Sequence, residues 1–108
     1  MSQVHEFMLL GFAEGIEAEQ QLAIMEALNA HLSRCPGLIS RECYRGDGRW
    51  VEHVVWAGQA DLEASARLEE DPVVAALFDC FDTTTVSYAC GERVGPAAAG
   101  RFGTIGIG

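Results

Sequence analysis

The sequence contains no lysine, and its seven basic residues, all arginine, stand against sixteen acidic ones. The resulting formal net charge of −9 would repel a phosphate backbone, so we expect no nucleic-acid partner. The apolar runs are only as long as strands, and the N-terminal residues lack the basic segment that precedes the apolar part of a signal peptide. These absences favour a cytoplasmic protein that does not interact with a membrane.

Signatures of metal, phosphate and nucleophile sites are also missing. The four cysteines lie too far apart for a CxxC pair and have no neighbouring histidine cluster, so buried, reduced thiols are the favoured interpretation. The acidic run at residues 69–71 does not have the spacing of a calcium loop, and there is no glycine-rich phosphate loop and no GxSxG turn. We therefore expect neither a metal nor a cofactor.

What the sequence does contain is typical of a folded domain. Hydrophobic residues make up 49% of its 108 residues and charged residues 21%, which is enough apolar area for one core. We place the domain at residues 1–94 and a Gly/Ala-rich tail at residues 95–108. The apolar tail residues Phe102, Ile105 and Ile107 are expected to dock on the domain or on a partner subunit.

The hydrophobic periodicity predicts an alternation of strands and helices. Proline and glycine mark the boundaries, as at Pro36-Gly37 after the first helix and Gly46-Asp47-Gly48 between two strands. In chain order we expect a strand over 4–13, a helix over 17–34, a hairpin of strands 38–45 and 50–57, a short helix over 61–70, a helix opened by Asp71-Pro72 and a strand over 83–90. This β-α-β-β-α-β order predicts an α+β, ferredoxin-like domain whose helices cover one face of a four-stranded antiparallel sheet.

Both faces of the third strand are apolar. Trp50, Val54 and Trp56 alternate with Val51 and Val55, so the face without helices would also expose apolar area. Buried apolar area is worth roughly 25 cal/mol per Å². A homodimer formed through that face is the simplest prediction.

The element order resembles the dimeric α/β-barrel superfamily, and within it the antibiotic biosynthesis monooxygenase-like and stress-responsive barrel domains. The resemblance covers residues 4–94 and includes Val54-Val55-Trp56, followed by a loop and a short helix, and the Asp71-Pro72 helix start. It implies two sheets packed face to face and a pocket between the helices and the sheet of each subunit. The haem-degrading branch is least similar, because its strand asparagine and helix histidine have no counterparts in this sequence.

The resemblance implies two functions. One is a cofactor-independent monooxygenase-like enzyme that acts on a small hydrophobic or aromatic metabolite, and the other is a non-catalytic ligand-binding or stress-associated dimer. A domain that regulates or scaffolds a partner is a third reading. Oxygenation without a cofactor requires a proton acceptor beside an apolar pocket, and His53, between Val51 and Val55, is the candidate base. A strand histidine bonded to a neighbour or lying in the dimer interface is the structural alternative.

Four further residues, Trp56, Tyr44, Asn29 and Arg41, are candidates for substrate binding. Trp56 and Tyr44, together with Tyr88, could line a pocket for a planar molecule, although aromatic residues on strands more often belong to the core. Asn29, predicted within the apolar arc of the first helix, would donate a hydrogen bond to a ligand or pair with the backbone. Arg41 could bind a carboxylate or enolate oxygen, or form a salt bridge across the hairpin with a neighbour such as Glu42 or Glu52.

Overall fold

Strands and helices alternate in the order that the hydrophobic pattern predicts. The computed structural model describes residues 2–95, so the docking expected of the tail residues Phe102, Ile105 and Ile107 lies outside the described residues. The elements are β1 (Val4–Phe12), α1 (Ala18–Leu32), β2 (Leu38–Arg45), β3 (Trp50–Trp56), α2 (Gln59–Ser65), a 3-10 helix (Ala66–Glu70), α3 (Pro72–Phe78) and β4 (Phe81–Gly91). None of the helices within residues 2–95 is long and apolar enough to cross a membrane.

The four strands form one antiparallel sheet in the order β2-β3-β1-β4. This arrangement confirms the ferredoxin-like prediction, with β1 and β3 at the centre. A bulge interrupts the pairing of β1 with β4 between Leu9 and Gly11, where the Gly11 amide donates to Thr85 Oγ1 at 2.7 Å. Because side chains alternate along each strand, the register fixes which residues face the helices.

Helix α1 packs on the sheet through a stripe of residues that is rotated from the predicted apolar arc, the arc in which we expected Asn29. Its first turn is held by the Glu17 amide, which donates to Gln20 Oε1 at 2.9 Å. The buried residues are Met25 and Leu28, whereas Leu22 and Asn29 are exposed. The prediction that Asn29 lies within the apolar arc was wrong, because the stripe is centred near Leu28 and Asn29 follows it by about 100° around the helix.

The second helical region is shorter and more divided than predicted. The expected helix over 61–70 is α2 followed by the 3-10 helix. Helix α3 starts as predicted, with Pro72 in its first turn and the Asp71 carboxylate accepting from the Val73 amide at 2.8 Å. It ends at Phe78, and β4 begins at Phe81, two residues before the predicted start of that strand at residue 83. The Cys80 carbonyl accepts from the Ala13 amide at 2.8 Å, which ties this turn to the end of β1.

The helix-facing side of the sheet forms the core. Its buried cluster joins Leu10 and Trp50 of the sheet to Met25 and Leu28 of α1 and Val74 of α3. On the other side of the sheet, the side chains of Phe7, Tyr44 and Val51 are 47%, 56% and 39% exposed. The sheet therefore has one covered face and one face that remains open in the single chain.

Candidate functional site

A pocket of about 470 Å³ lies between the sheet and the helices. This volume is within the range of sites that bind small organic molecules. Aliphatic and aromatic side chains make up most of its wall, and its few polar groups come mainly from the sheet. The lining residues are Glu6, Met8, Leu28, Leu32, Glu52, Val54, Trp56, Leu62, Ser65, Ala66, Leu68, Glu69, Phe78, Phe81, Val86 and Tyr88.

Three neighbouring strands bring a carboxylate and two hydrogen-bond donors together on the pocket wall. Glu6 of β1 lies opposite Val54 on one side and Cys90 on the other, so Trp56 and Tyr88, two residues along, are its diagonal neighbours on the same face. Trp56 Nε1 donates to Glu6 Oε1 at 2.5 Å, and the Tyr88 hydroxyl donates to Glu6 Oε2 at 2.6 Å. The carboxylate is thus fixed in place by one donor to each oxygen.

Burial explains why the Trp56 indole needs an acceptor and why the Tyr88 hydroxyl keeps its proton. The Trp56 side chain is almost fully buried, so its indole N–H requires an acceptor, and Glu6 provides one. Partial burial, followed by the hydrogen bond to Glu6, raises the pKa of Tyr88. Tyr88 therefore remains a protonated donor at neutral pH, and its hydroxyl keeps its hydrogen bond to the carboxylate.

A second carboxylate on the wall, Glu52, is paired with a buried arginine. Arg41 Nε lies 2.9 Å from Glu52 Oε1, and the two side chains are 4% and 11% exposed. Arg41 Nη1 donates to the Met25 carbonyl of α1 at 3.2 Å, so the guanidinium joins the sheet to the helix. Its Nη2 is buried and has no hydrogen-bond partner among residues 2–95. Arg41 lies behind Glu52 and is not among the described residues that line the pocket.

The structure places the sequence candidates on different faces of the sheet. Trp56 lines the pocket, while Tyr44 lies on the open face and Asn29 on the exposed side of α1. Arg41 forms the salt bridge to Glu52 that the sequence offered as the alternative to ligand binding. Neither Tyr44 nor Asn29 is close to the pocket, because strand and helix periodicity turn both side chains away from it.

His53 lies on the open face of the sheet and does not line the pocket between sheet and helices. Its Nε2 is 2.8 Å from Nδ1 of His5, and its ring stacks on Phe7 with centroids 4.4 Å apart. Its Nδ1 is 3.7 Å from a Glu42 oxygen. These contacts match the alternative expected for a strand histidine that bonds to its neighbours.

The open face has a cavity of its own, about 550 Å³ in volume, beside His5, Phe7 and His53 and the chain at residues 89–95. A hydrogen bond between two imidazole rings requires that one ring nitrogen carries the proton and the other is free to accept it. Within residues 2–95, no group of three or more His, Cys, Asp or Glu side chains is arranged to hold a metal ion. The histidine pair is therefore best described as a contact within the open face.

Sequence reasoning missed Glu6 and Glu52 and did not select Tyr88 from among the aromatic candidates. A signal for Glu6 was present, because it is the one acidic residue within the apolar run at residues 4–13. A carboxylate on a half-buried strand needs hydrogen-bond donors. Its two donors come from 50 and 82 residues further along the chain, and only the register of the sheet identifies them.

No family model and no curated protein matches the chain. Solved structures with the same fold include a variant of SnoaB, described as a cofactor-independent oxygenase from Streptomyces nogalater, with 12% identity and a TM-score of 0.70. The match covers 90% of this chain and 98% of that one. The protein PA3566 from Pseudomonas aeruginosa has 14% identity and a TM-score of 0.68, with 88% and 97% of the two chains covered.

A further match is described as a possible oxidoreductase of unknown function from Bacteroides thetaiotaomicron, with 13% identity and a TM-score of 0.65 over 85% of this chain and 98% of that one. At such identities the likeness shows the fold. These matches confirm the predicted fold. The pocket of this chain is therefore the basis for assigning its function.

Proposed function

From this fold and this pocket, we propose that the chain is a cofactor-independent oxygenase for a small hydrophobic, aromatic metabolite and acts as a homodimer. The observation that carries the proposal is the Glu6 carboxylate, fixed by Trp56 and Tyr88 on the wall of a ligand-sized apolar pocket. The description of SnoaB as a cofactor-independent oxygenase supports the reaction class.

In this proposal Glu6, and not His53, accepts the proton. A base must be within hydrogen-bond reach of a bound substrate, and of these two residues only Glu6 is on the pocket wall. Each of its oxygens receives one hydrogen bond and retains a lone pair for a substrate proton. A carboxylate is a weak base, so the substrate must itself carry an acidic proton, as a phenol or an enolisable polycyclic ketone does.

The chemistry balances without a further reductant. Proton transfer to Glu6 leaves an electron-rich substrate anion, which gives one electron to O₂, and the two radicals combine to form a C–O bond. The peroxide recovers the proton from Glu6 and then loses water to leave a carbonyl group. A methylene carbon and O₂ are thereby converted into a ketone and water. The apolar wall suits this sequence, because it holds a planar substrate and limits access of water to the anion.

Oxygen consumption tests the proposal. We would incubate the protein with a panel of polycyclic phenols and enolisable polycyclic ketones and follow O₂ with an electrode. Glu6→Gln should lower the rate by about 100-fold, because a positioned base contributes roughly 10²–10⁴-fold. Glu26→Gln, an exposed change on α1 with the same loss of charge, should leave the rate unchanged. No uptake with any compound, or equal rates for both variants, would reject the oxygenase.

The open sheet face supports the dimer. Its exposed Phe7 and Val51 lie on the two central strands, where a second sheet could cover them. Val51→Glu should convert the dimer to a monomer in sedimentation equilibrium, because it places a charge in the proposed interface. Leu22→Glu, on the exposed side of α1, is the matched control and should leave the dimer intact. A monomeric parent protein would refute the dimer.

A specific observation favours the second function, ligand binding without catalysis. Both oxygens of Glu6 already accept hydrogen bonds from Trp56 and Tyr88, which suits a fixed recognition group. Saturable binding of aromatic ligands without oxygen uptake would support this alternative. The pocket would then be a recognition site with the same residues on its wall.

A further inference from the structure

The side-chain hydrogen-bond donors on the pocket wall are all engaged within the protein. Trp56 and Tyr88 donate to Glu6, and the Ser65 hydroxyl donates to the Leu62 carbonyl at 2.6 Å. Among the described lining residues there is no arginine, histidine, asparagine or glutamine. A ligand that needs a donor from a side chain would not find a free one on this wall.

The acceptors on the same wall have capacity to spare. A carboxylate offers about four lone-pair positions, and Glu6 uses two of them. Glu52 accepts from Arg41 Nε through Oε1, and one such bond leaves further lone-pair positions on the carboxylate. Glu69 adds a third carboxylate at the exposed edge of the pocket. The polar part of the wall is therefore made of acceptors.

The charge of the wall also disfavours an anionic ligand. Arg41 offsets the charge of Glu52, but the two donors to Glu6, from Trp56 and Tyr88, are neutral, and Glu69 has no cation on the described lining. The wall is net negative, and its apolar surroundings reduce the screening of that charge by water. The overall charge of −9 adds to the repulsion of anions.

We propose that this pocket selects a hydrophobic ligand bearing a protonated amine and rejects the carboxylate of the same molecular body. The amine supplies the hydrogen-bond donors that the wall lacks and the positive charge that Glu6 attracts. A carboxylate would lose its hydration and meet acceptors of its own sign. The inference rests on the proposed function for the location of the ligand site, and it does not depend on oxygenation.

Three ligands with one aromatic body test the selection on the unmodified protein. Isothermal titration calorimetry at pH 7 would compare naphthalen-2-ylmethanamine, naphthalen-2-ylmethanol and naphthalene-2-carboxylate. The amine should bind about tenfold more tightly than the alcohol, because a charged hydrogen bond is stronger than a neutral one by about that factor. The carboxylate should bind more weakly than the alcohol. Equal or tighter binding of the carboxylate would overturn the inference.

Variants locate the source of the preference. Glu6→Gln should reduce the advantage of the amine over the alcohol about tenfold, because it removes the wall charge and leaves the pocket volume nearly unchanged. Glu69→Gln, at the exposed edge, should reduce it by only about two- to threefold, since exposed charges are screened. Glu26→Gln is the control and should have no effect. An unchanged amine preference in Glu6→Gln would contradict the inference, and the ranking on the parent protein decides it if that variant does not fold.

The outcomes separate this inference from the oxygenase proposal. An amine preference without oxygen uptake by any substrate would support the selection and reject the oxygenase. Oxygen uptake together with tighter binding of the carboxylate would reject the selection alone. If none of the three ligands binds, the selection is rejected, and oxygen uptake alone then decides the oxygenase proposal.

Discussion

Removing the charge of Glu52 should destabilise the fold, because Arg41 would then be buried without a counter-ion. The Arg41 side chain is 4% exposed, with Nε 2.9 Å from Glu52 Oε1, and its Nη1 donates to the Met25 carbonyl. Breaking a buried ion pair by removing one partner costs about 3–5 kcal/mol. For Glu52→Gln we expect about 3 kcal/mol, the lower end, because the amide oxygen can still accept from Nε.

Urea unfolding measures this cost. With a denaturant dependence of about 1–3 kcal/mol per molar for a small domain, the midpoint should fall by roughly 1–3 M. Glu26→Gln provides the control, since Glu26 is an exposed glutamate on α1 and its replacement should cost less than about 0.5 kcal/mol.

A double variant separates loss of the charge pair from loss of packing. Arg41→Met with Glu52→Leu removes both charges and keeps apolar volume, so its stability should return to within about 1 kcal/mol of the parent. A cost below about 1 kcal/mol for Glu52→Gln, or a double variant that is no more stable than Glu52→Gln, would show that the unpaired charge of Arg41 is not the cause of the destabilisation.

Two further predictions concern pH and backbone conformation. Because the pKa of Tyr88 is raised in the folded state, the unfolded chain loses this phenolic proton first above about pH 10, and stability falls as the pH rises from there. Tyr88→Phe should make urea-derived stability decline less steeply between pH 10 and 11, and an unchanged slope would exclude this origin. Gly37 has a φ of +84°, and a Cβ there would overlap the Asp61 carboxyl group. Gly37→Ala should therefore cost at least about 1–2 kcal/mol by thermal or urea unfolding, and a neutral effect would contradict the assignment of strain.

The order of the elements could be read from the sequence because the signals for them are local. Hydrophobic period, the Gly46-Asp47-Gly48 turn and the Asp71-Pro72 helix start each depend on a few adjacent residues. The boundaries of the second helical region were less predictable, since Phe81 is as apolar as a helix residue and only its pairing with Phe12 shows that it begins β4.

The candidate site was harder to predict because its members meet only through the sheet. The sequence contained both His53 and Trp56, three residues apart, and the alternation of the strand sends them to opposite faces. The register of the sheet was needed to decide which of the two side chains points toward the helices, since a shift of one residue exchanges the two faces of a strand. Asn29 was likewise predicted on the apolar side of α1 but lies on the exposed side, because the packed stripe of this helix is centred near Leu28.

By itself, then, the sequence determined the acidic charge, the alternation of strands and helices and the apolar character of both sheet faces, because these follow from composition and local spacing. Only the tertiary structure decided that the Glu6 carboxylate lies on the pocket wall and which donors hold it there. Its partners Trp56 and Tyr88 come from two different strands, 50 and 82 residues away. Such a contact depends on pairing between strands that are distant in the chain, and the local pattern of any one strand does not specify that pairing.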